Sequence, residues 1–154
     1  MSSTTVEQGA ITPSLRWDIF CRVVDNLGDI GVCWRLCADL AARGQQVRLW
    51  IDRPDDLDWM APQARQGRHP GVQVLHWTDP LPTGLVNSLP PADVWVEAFG
   101  CDPAVECADA LALQLAAGSP APVWLNLEYL SAEPWVERCH RLPSPVMGGP
   151  LKGQ

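Results

Sequence analysis

At 154 residues the chain can enclose the core of one ordinary domain. Its hydrophobic share of 47% and mean hydropathy of −0.04 are globular, and no apolar run approaches the roughly 20 residues that span a bilayer, which excludes a membrane protein. A net charge of −7 and a pI near 4.7 repel phosphate backbones, so nucleic acid is a poor partner.

Residues 1–15 lack a positive stretch followed by an apolar one, so no secretory signal is expected and the segment reads as a disordered lead-in. The first strand is expected over Arg16 to Val24, where Ile19, Cys21 and Val23 alternate with Asp18, Phe20 and Arg22. Val32, Cys33, Leu36, Cys37, Leu40 and Ala41 then recur at helical spacing. They predict a helix from Ile30 to Arg43, with Gly44 as its stop. "QQVRLWID" reads as a second strand, and the proline-punctuated stretch from Pro54 to Gly71 as a short helix and a loop. "GVQVLHW" and "DVWVEAF" are the third and fourth strands, joined by a loop of turn residues, "TDPLPTGLVNSLPPA". An apolar helix is expected from Ala104 to Ala117, followed by a fifth strand in "APVWLNLEYL".

Strands alternating with helices predict an α/β fold, a parallel sheet covered on both faces, with the first strand central. The domain should run over residues 16–142, and the proline- and glycine-rich residues 143–154 read as the start of a linker. The eight tryptophans, most of them in or beside strands, are expected to pack the core. The six cysteines form neither a CxxC pair nor a disulfide-like framework, so they read as reduced, buried thiols of a cytoplasmic protein. Cys33 and Cys37 would share a helix face, but the paired short spacing of a zinc site is missing, and no metal is expected.

In open α/β sheets, ligands bind outside the carboxyl ends of the strands. Three loops meet that description: "DNLGDIG" after the first strand, "EAFGCDP" after the fourth and "NLEYLSAE" after the fifth. They bring Asp25, Asn26, Asp29, Glu97, Asp102, Glu128, Tyr129 and Glu133 around one acidic crevice suited to a cationic or hydroxyl-rich partner. Two readings of the first loop stand side by side. Asp29, just before Ile30, would cap the helix while Asp25 closes an Asx-turn; or both carboxylates serve chemistry in the crevice. Gly28 permits a left-handed turn or a close approach, and Gly31 opens the helix where N–H groups face an anion. Glu97 and Glu128, at strand ends, are as readily satisfied by a helix N-terminus. The loop lacks the G-x-G-x-x-G fingerprint and a P-loop lysine, the histidines form no triad, and no G-x-S-x-G elbow occurs.

"WDIFCRVVDNLGDIGVCWRLCADLA", "VWVEAFGC", "NLEYLSAEPWVE" and "HRLPSPVMGGPLKG" resemble, in order, the EarP family of protein-arginine rhamnosyltransferases that act on translation elongation factor P. The resemblance covers Trp17 to Gly153 and is thinnest from Pro54 to Ala92. It implies a GT-B architecture of two Rossmann-like domains across a cleft, with this chain as the N-terminal, acceptor-side domain and the donor domain absent. It implies transfer of rhamnose from dTDP-β-L-rhamnose to an arginine, with inversion and without metal or other cofactor. Asp25 and Asp29 match the family's functional aspartates, Asp29 as general base and Asp25 as the acid that orients the arginine or the loop. Asn26, Gly28, Gly31, Glu97, Glu128 and Tyr129 complete the expected substrate-binding set. On this reading the chain alone is inactive. The rival class is a non-catalytic α/β module that grips an arginine-bearing protein, and a nucleotide-dependent enzyme has only fold analogy behind it.

Overall fold

The apolar runs become five strands in the computed structural model, which describes residues 13–25 and 27–153. They are β1 (Arg16–Cys21), β2 (Gln46–Ile51), β3 (Val72–His76), β4 (Val94–Ala98) and β5 (Val123–Leu127). All neighbours pair parallel in the order β3-β2-β1-β4-β5, so the first strand is central, as its composition predicts. Most of the expected lead-in lies outside the described residues.

The register explains why both faces of β1 are apolar. Ile19 lies between Leu49 and Val96, and Phe20 between Trp50 and Glu97. The first face is covered by α1 (Gly28–Ala42), whose Ile30, Cys33, Cys37 and Leu40 are buried against Ile19, Cys21, Leu49 and Val96. Gly44, at φ +81°, ends that helix: its N–H bonds Ala41 O, and the Gln45 N–H reaches Leu40 O, a Schellman closure. Two single turns, α2 (Pro62–Arg65) and α3 (Leu85–Ser88), occupy connections, α3 within the stretch expected to be all loop.

The second face packs under α4 (Val105–Ala116) through Cys107 and Leu111. Phe20 is its centre, stacked on Trp50 at 6.0 Å and edge-on to Trp77 at 5.9 Å and Trp95 at 5.2 Å. Those three tryptophans are buried; Trp17, Trp34 and Trp124 pack partly buried against the two cores, while Trp59 and Trp135 are exposed. After a last turn, α5 (Val136–Cys139), the tail read as a linker returns to this face. Leu151 is 3% exposed within the same cluster, with Val146 packed against it.

At the amino-terminal edge a charge pair is buried in the second face. Arg48 donates to both oxygens of Asp18, at 2.5 and 2.7 Å, and to Pro90 O, while Trp50 Nε1 donates to Asp18. Every charged atom there has a partner, as burial demands. A cavity of about 30 Å³ adjoins the pair and a groove of about 330 Å³ runs along the same edge; both lie away from the predicted crevice. Among the described residues, no helix is long and apolar enough to cross a membrane.

Candidate functional site

The strand order reverses at β1, with β2 and β3 on one side and β4 and β5 on the other. A crevice outside the carboxyl ends is therefore expected between β1 and β4. β1 stops at Cys21 rather than Val24 because side chains replace its ladder. Val23 N–H donates to Asp52 Oδ1 at 3.0 Å, and Val24 and Asp25 N–H both donate to Asp29 Oδ2, at 2.8 and 2.9 Å.

Those bonds correct the reading of Asp29 as a helix cap. α1 begins at Gly28, its N-cap position is Leu27, and no side chain caps it. Asp29 lies inside the first turn, and its carboxylate reaches back to the incoming loop. Its other oxygen, Oδ1, accepts the Tyr129 hydroxyl, and the residue is 0% exposed. Burial pushes the Asp29 carboxyl up, but the Tyr129 hydroxyl and the two backbone N–H groups outweigh it and hold the group below the usual carboxylate range. The helix N-terminus favours the same anion. Reciprocally, the bond to Asp29, with burial and the nearby Asp29 and Asp25 charges, pushes the Tyr129 phenol up to about 12.

Gly28 lets the Asp25 carboxylate approach closely and makes no left-handed turn. Its backbone is helical, and a Cβ there would lie 3.1 Å from Asp25 Oδ2. Gly31 offers no free donor, because its N–H bonds Leu27 O at 3.1 Å. Asp25 is exposed beside Gly28, and Asn26 lies outside the described residues.

Tyr129, 53% exposed, is supported from below by a residue the sequence analysis passed over. Phe99, the first residue after β4, stacks on the Tyr129 ring with centroids 4.1 Å apart and planes at 16°. The register does not foretell the contact: Ala98 pairs with Leu127, which would set Phe99 opposite Glu128, and the positive φ of Phe99 takes its ring to Tyr129 instead. Glu97 faces the other way. It lies on the Phe20 face, half-buried, and burial followed by the neighbouring Asp102 charge pushes it up to about 7, against the Trp124 indole N–H. The predicted crevice thus divides into Asp25–Asp29–Tyr129 on one side and Glu97–Asp102 on the other, with Glu128 and Glu133 exposed.

No cluster of three or more His, Cys, Asp or Glu suited to a metal occurs among the described residues. Cys21, Cys33, Cys37, Cys101 and Cys107 are buried free thiols, whereas Cys139 is exposed, contrary to expectation. Burial pushes the Cys101 thiol up to about 11 and Cys107 to about 12, which leaves both unreactive at neutral pH.

Residues 17–153 match the family model described as Elongation-Factor P (EF-P) rhamnosyltransferase EarP. Relatives named protein-arginine rhamnosyltransferase are 48% identical over 139 residues in Pseudomonas putida and 43% over 143 in Shewanella oneidensis. Each alignment covers 86% of this chain and 34% of the relative, so the chain spans about a third of their length. A relative of the same name from Neisseria meningitidis is 37% identical, over 88% of this chain and 34% of its own. Among solved structures, the glycotransferase of kitacinnamycin aligns over 82% of this chain and 34% of its own, with a TM-score of 0.44 and 16% identity.

Proposed function

Because the chain belongs to the EarP family, we propose that it forms the acceptor-side part of a protein-arginine rhamnosyltransferase. The acceptor is an arginine of translation elongation factor P, and the donor is dTDP-β-L-rhamnose, held mainly by a second Rossmann-like domain of a GT-B enzyme. The observation that carries this reading is the family match from residue 17 to 153, which includes the whole acid–aromatic cluster at the switch point.

The chemistry of that cluster suits a guanidinium. Such a group keeps its proton up to a pKa above about 12 and offers no free lone pair at neutral pH, so an attacking nitrogen needs an anion beside it. Asp25, exposed, takes part of the N–H fork. The exposed Tyr129 ring gives a planar cation a face to stack on. Asp29 Oδ2 is committed to backbone, so Oδ1 is the atom that meets the acceptor, whose N–H takes the place of the Tyr129 hydroxyl. As the nitrogen bonds the anomeric carbon from the face opposite the nucleotide, the bond from that carbon to the diphosphate oxygen breaks and the guanidinium proton passes to Oδ1. The low pKa direction of Asp29 makes it a modest base and a strong electrostatic stabiliser of the cation. No step calls for a metal.

The test is to replace the matching third of a full-length relative with this chain, incubate that chimera with elongation factor P and dTDP-β-L-rhamnose, and map the product by mass spectrometry. One deoxyhexose on one arginine is expected; unmodified protein in all conditions overturns the reading. The chain alone should retain elongation factor P in a pull-down without turnover. That would match a binding module, whereas modification by the chimera distinguishes the enzyme.

A further inference from the structure

Phe99 has φ +59°, in the left-handed region that bulky residues rarely occupy. Such a conformation is strained and persists only when its surroundings over-determine it. Here the surroundings are visible. The Phe99 N–H bonds Leu127 O at 2.7 Å, extending the β4–β5 ladder by one bond, and the chain then turns sharply through Gly100 at φ +70°. The turn brings the Phe99 ring against the first-face core on one side and flat under Tyr129 on the other. Tyr129 lies just past β5, is half exposed, and is held by this stack and by its hydroxyl on Asp29.

We propose that Phe99 is a positioning residue, whose strained backbone holds its ring under Tyr129 and so keeps the phenol hydroxyl on Oδ1 of Asp29. The inference rests on the proposed role of Asp29 for its functional meaning, but not for its geometry. An exposed ring on a loop is free to rotate, and a hydroxyl-to-carboxylate bond alone competes with water. Stacking over an anchored ring removes that freedom, because aromatic pairs attract beyond what their buried area accounts for. Phe99 thereby decides how Asp29 is presented: shielded, singly oriented, with one replaceable donor at the oxygen that meets the acceptor.

Tyr129 is the only tyrosine in the chain, so a Cζ-labelled sample gives one tyrosine resonance to follow. At pH 11 a phenol of ordinary pKa, near 10, is about nine-tenths ionised, whereas one near 12 is about one-tenth ionised. The native chain should show mostly neutral tyrosine at pH 11, and Asp29→Asn should show mostly phenolate. Phe99→Leu, which keeps apolar bulk and loses the stack, should also shift to mostly phenolate while circular dichroism at the same pH is unchanged. Phe99→Trp should keep the native behaviour. If Phe99→Leu does not fold, Phe99→Asn decides, since asparagine tolerates the left-handed region and carries no ring. A folded Phe99→Leu or Phe99→Asn chain with native tyrosine ionisation overturns the proposal. The measurement uses neither acceptor nor sugar donor, so its outcome is independent of whether the transferase reading stands.

Discussion

Replacing Asp29 by asparagine and by alanine separates what the carboxylate holds from what it does. The acceptor oxygen of an asparagine can still receive the Val24 and Asp25 N–H bonds now made to Oδ2. Its amide then faces Tyr129, whose oxygen can accept while its own proton turns to solvent. What is lost is charge assistance on two bonds, and burying an amide instead of a carboxylate offsets part of that. The net cost should be about 1 kcal/mol or less. Alanine removes the acceptor altogether. Two loop N–H groups lose their partner, and because Val24 and Asp25 are exposed, water recovers part of each, leaving about 1 kcal/mol per bond. With the vacated space the cost should reach about 2–3 kcal/mol.

Urea unfolding followed by tryptophan fluorescence reads both values on the isolated chain. Equal losses for the two variants would refute the anchoring argument. The pH dependence supplies a sign. A carboxyl held below its unfolded value contributes stability that is complete above the unfolded pKa, near 3.9, and that disappears as pH falls through the folded value. The gap between native and Asp29→Asn should therefore narrow below about pH 4. In the chimera with a full-length relative the two variants should converge instead, with turnover reduced at least about a hundredfold in both. Folding nearly intact with turnover gone assigns the charge to chemistry.

Gly31→Ala should stabilise by about 0.5–1 kcal/mol through helix propensity, since its Cβ meets only Met60 Cε at 3.6 Å. Gly28→Ala should fold as well but bind an arginine peptide more weakly by fluorescence titration, because its Cβ displaces the Asp25 carboxylate; equal binding by both variants would remove Asp25 from the site. Glu97 keeps a proton in the folded chain between about pH 4.5 and 7 that the unfolded chain has released, so it lowers stability as pH rises through that window. Glu97→Gln should abolish this slope in urea melts from pH 4 to 8, and a carboxyl resonance titrating near its ordinary value would contradict it. Arg48→Met, which strands the buried Asp18 charge, should cost about 3–5 kcal/mol, and adding Asp18→Leu should recover part of that loss.

Local pattern carried the fold because each strand and long helix has its own periodicity. Ile19, Leu49 and Val96 share a face by alternation alone, and Ile30, Cys33, Cys37 and Leu40 share one by helical spacing. What failed was whatever tertiary bonding decides. β1 ends three residues short of the expected Val24, and beyond it the Asp52 and Asp29 side chains take the Val23, Val24 and Asp25 N–H groups that a ladder would have used. No propensity encodes that competition. The path of the tail is illegible for a related reason: proline and glycine mark an irregular course, but only Leu151 and Val146, docked on the aromatic face, show where it leads.

The site was legible as a set of loops and illegible as a geometry. Placement at the strand ends collected Asp25, Asp29 and Tyr129, which the structure brings together, and also Glu97, which alternation sends to the opposite face beside Phe20. A strand-end rule is blind to parity, so it groups Glu97, which burial pushes up to about 7, with Asp29, which hydrogen bonds hold low. The same blindness hid Phe99. Read along the chain it is one more apolar residue closing a strand, and only its positive φ takes it out of the alternation and under Tyr129. The two acids of the first loop then differ in kind. Asp29 is sealed, triply bonded and fixed, so it sets the field at the crevice, whereas exposed Asp25 can follow an incoming cation. A guanidinium needs both, because a fixed charge alone cannot adjust to the acceptor, and a mobile one alone gives up much of its strength to water.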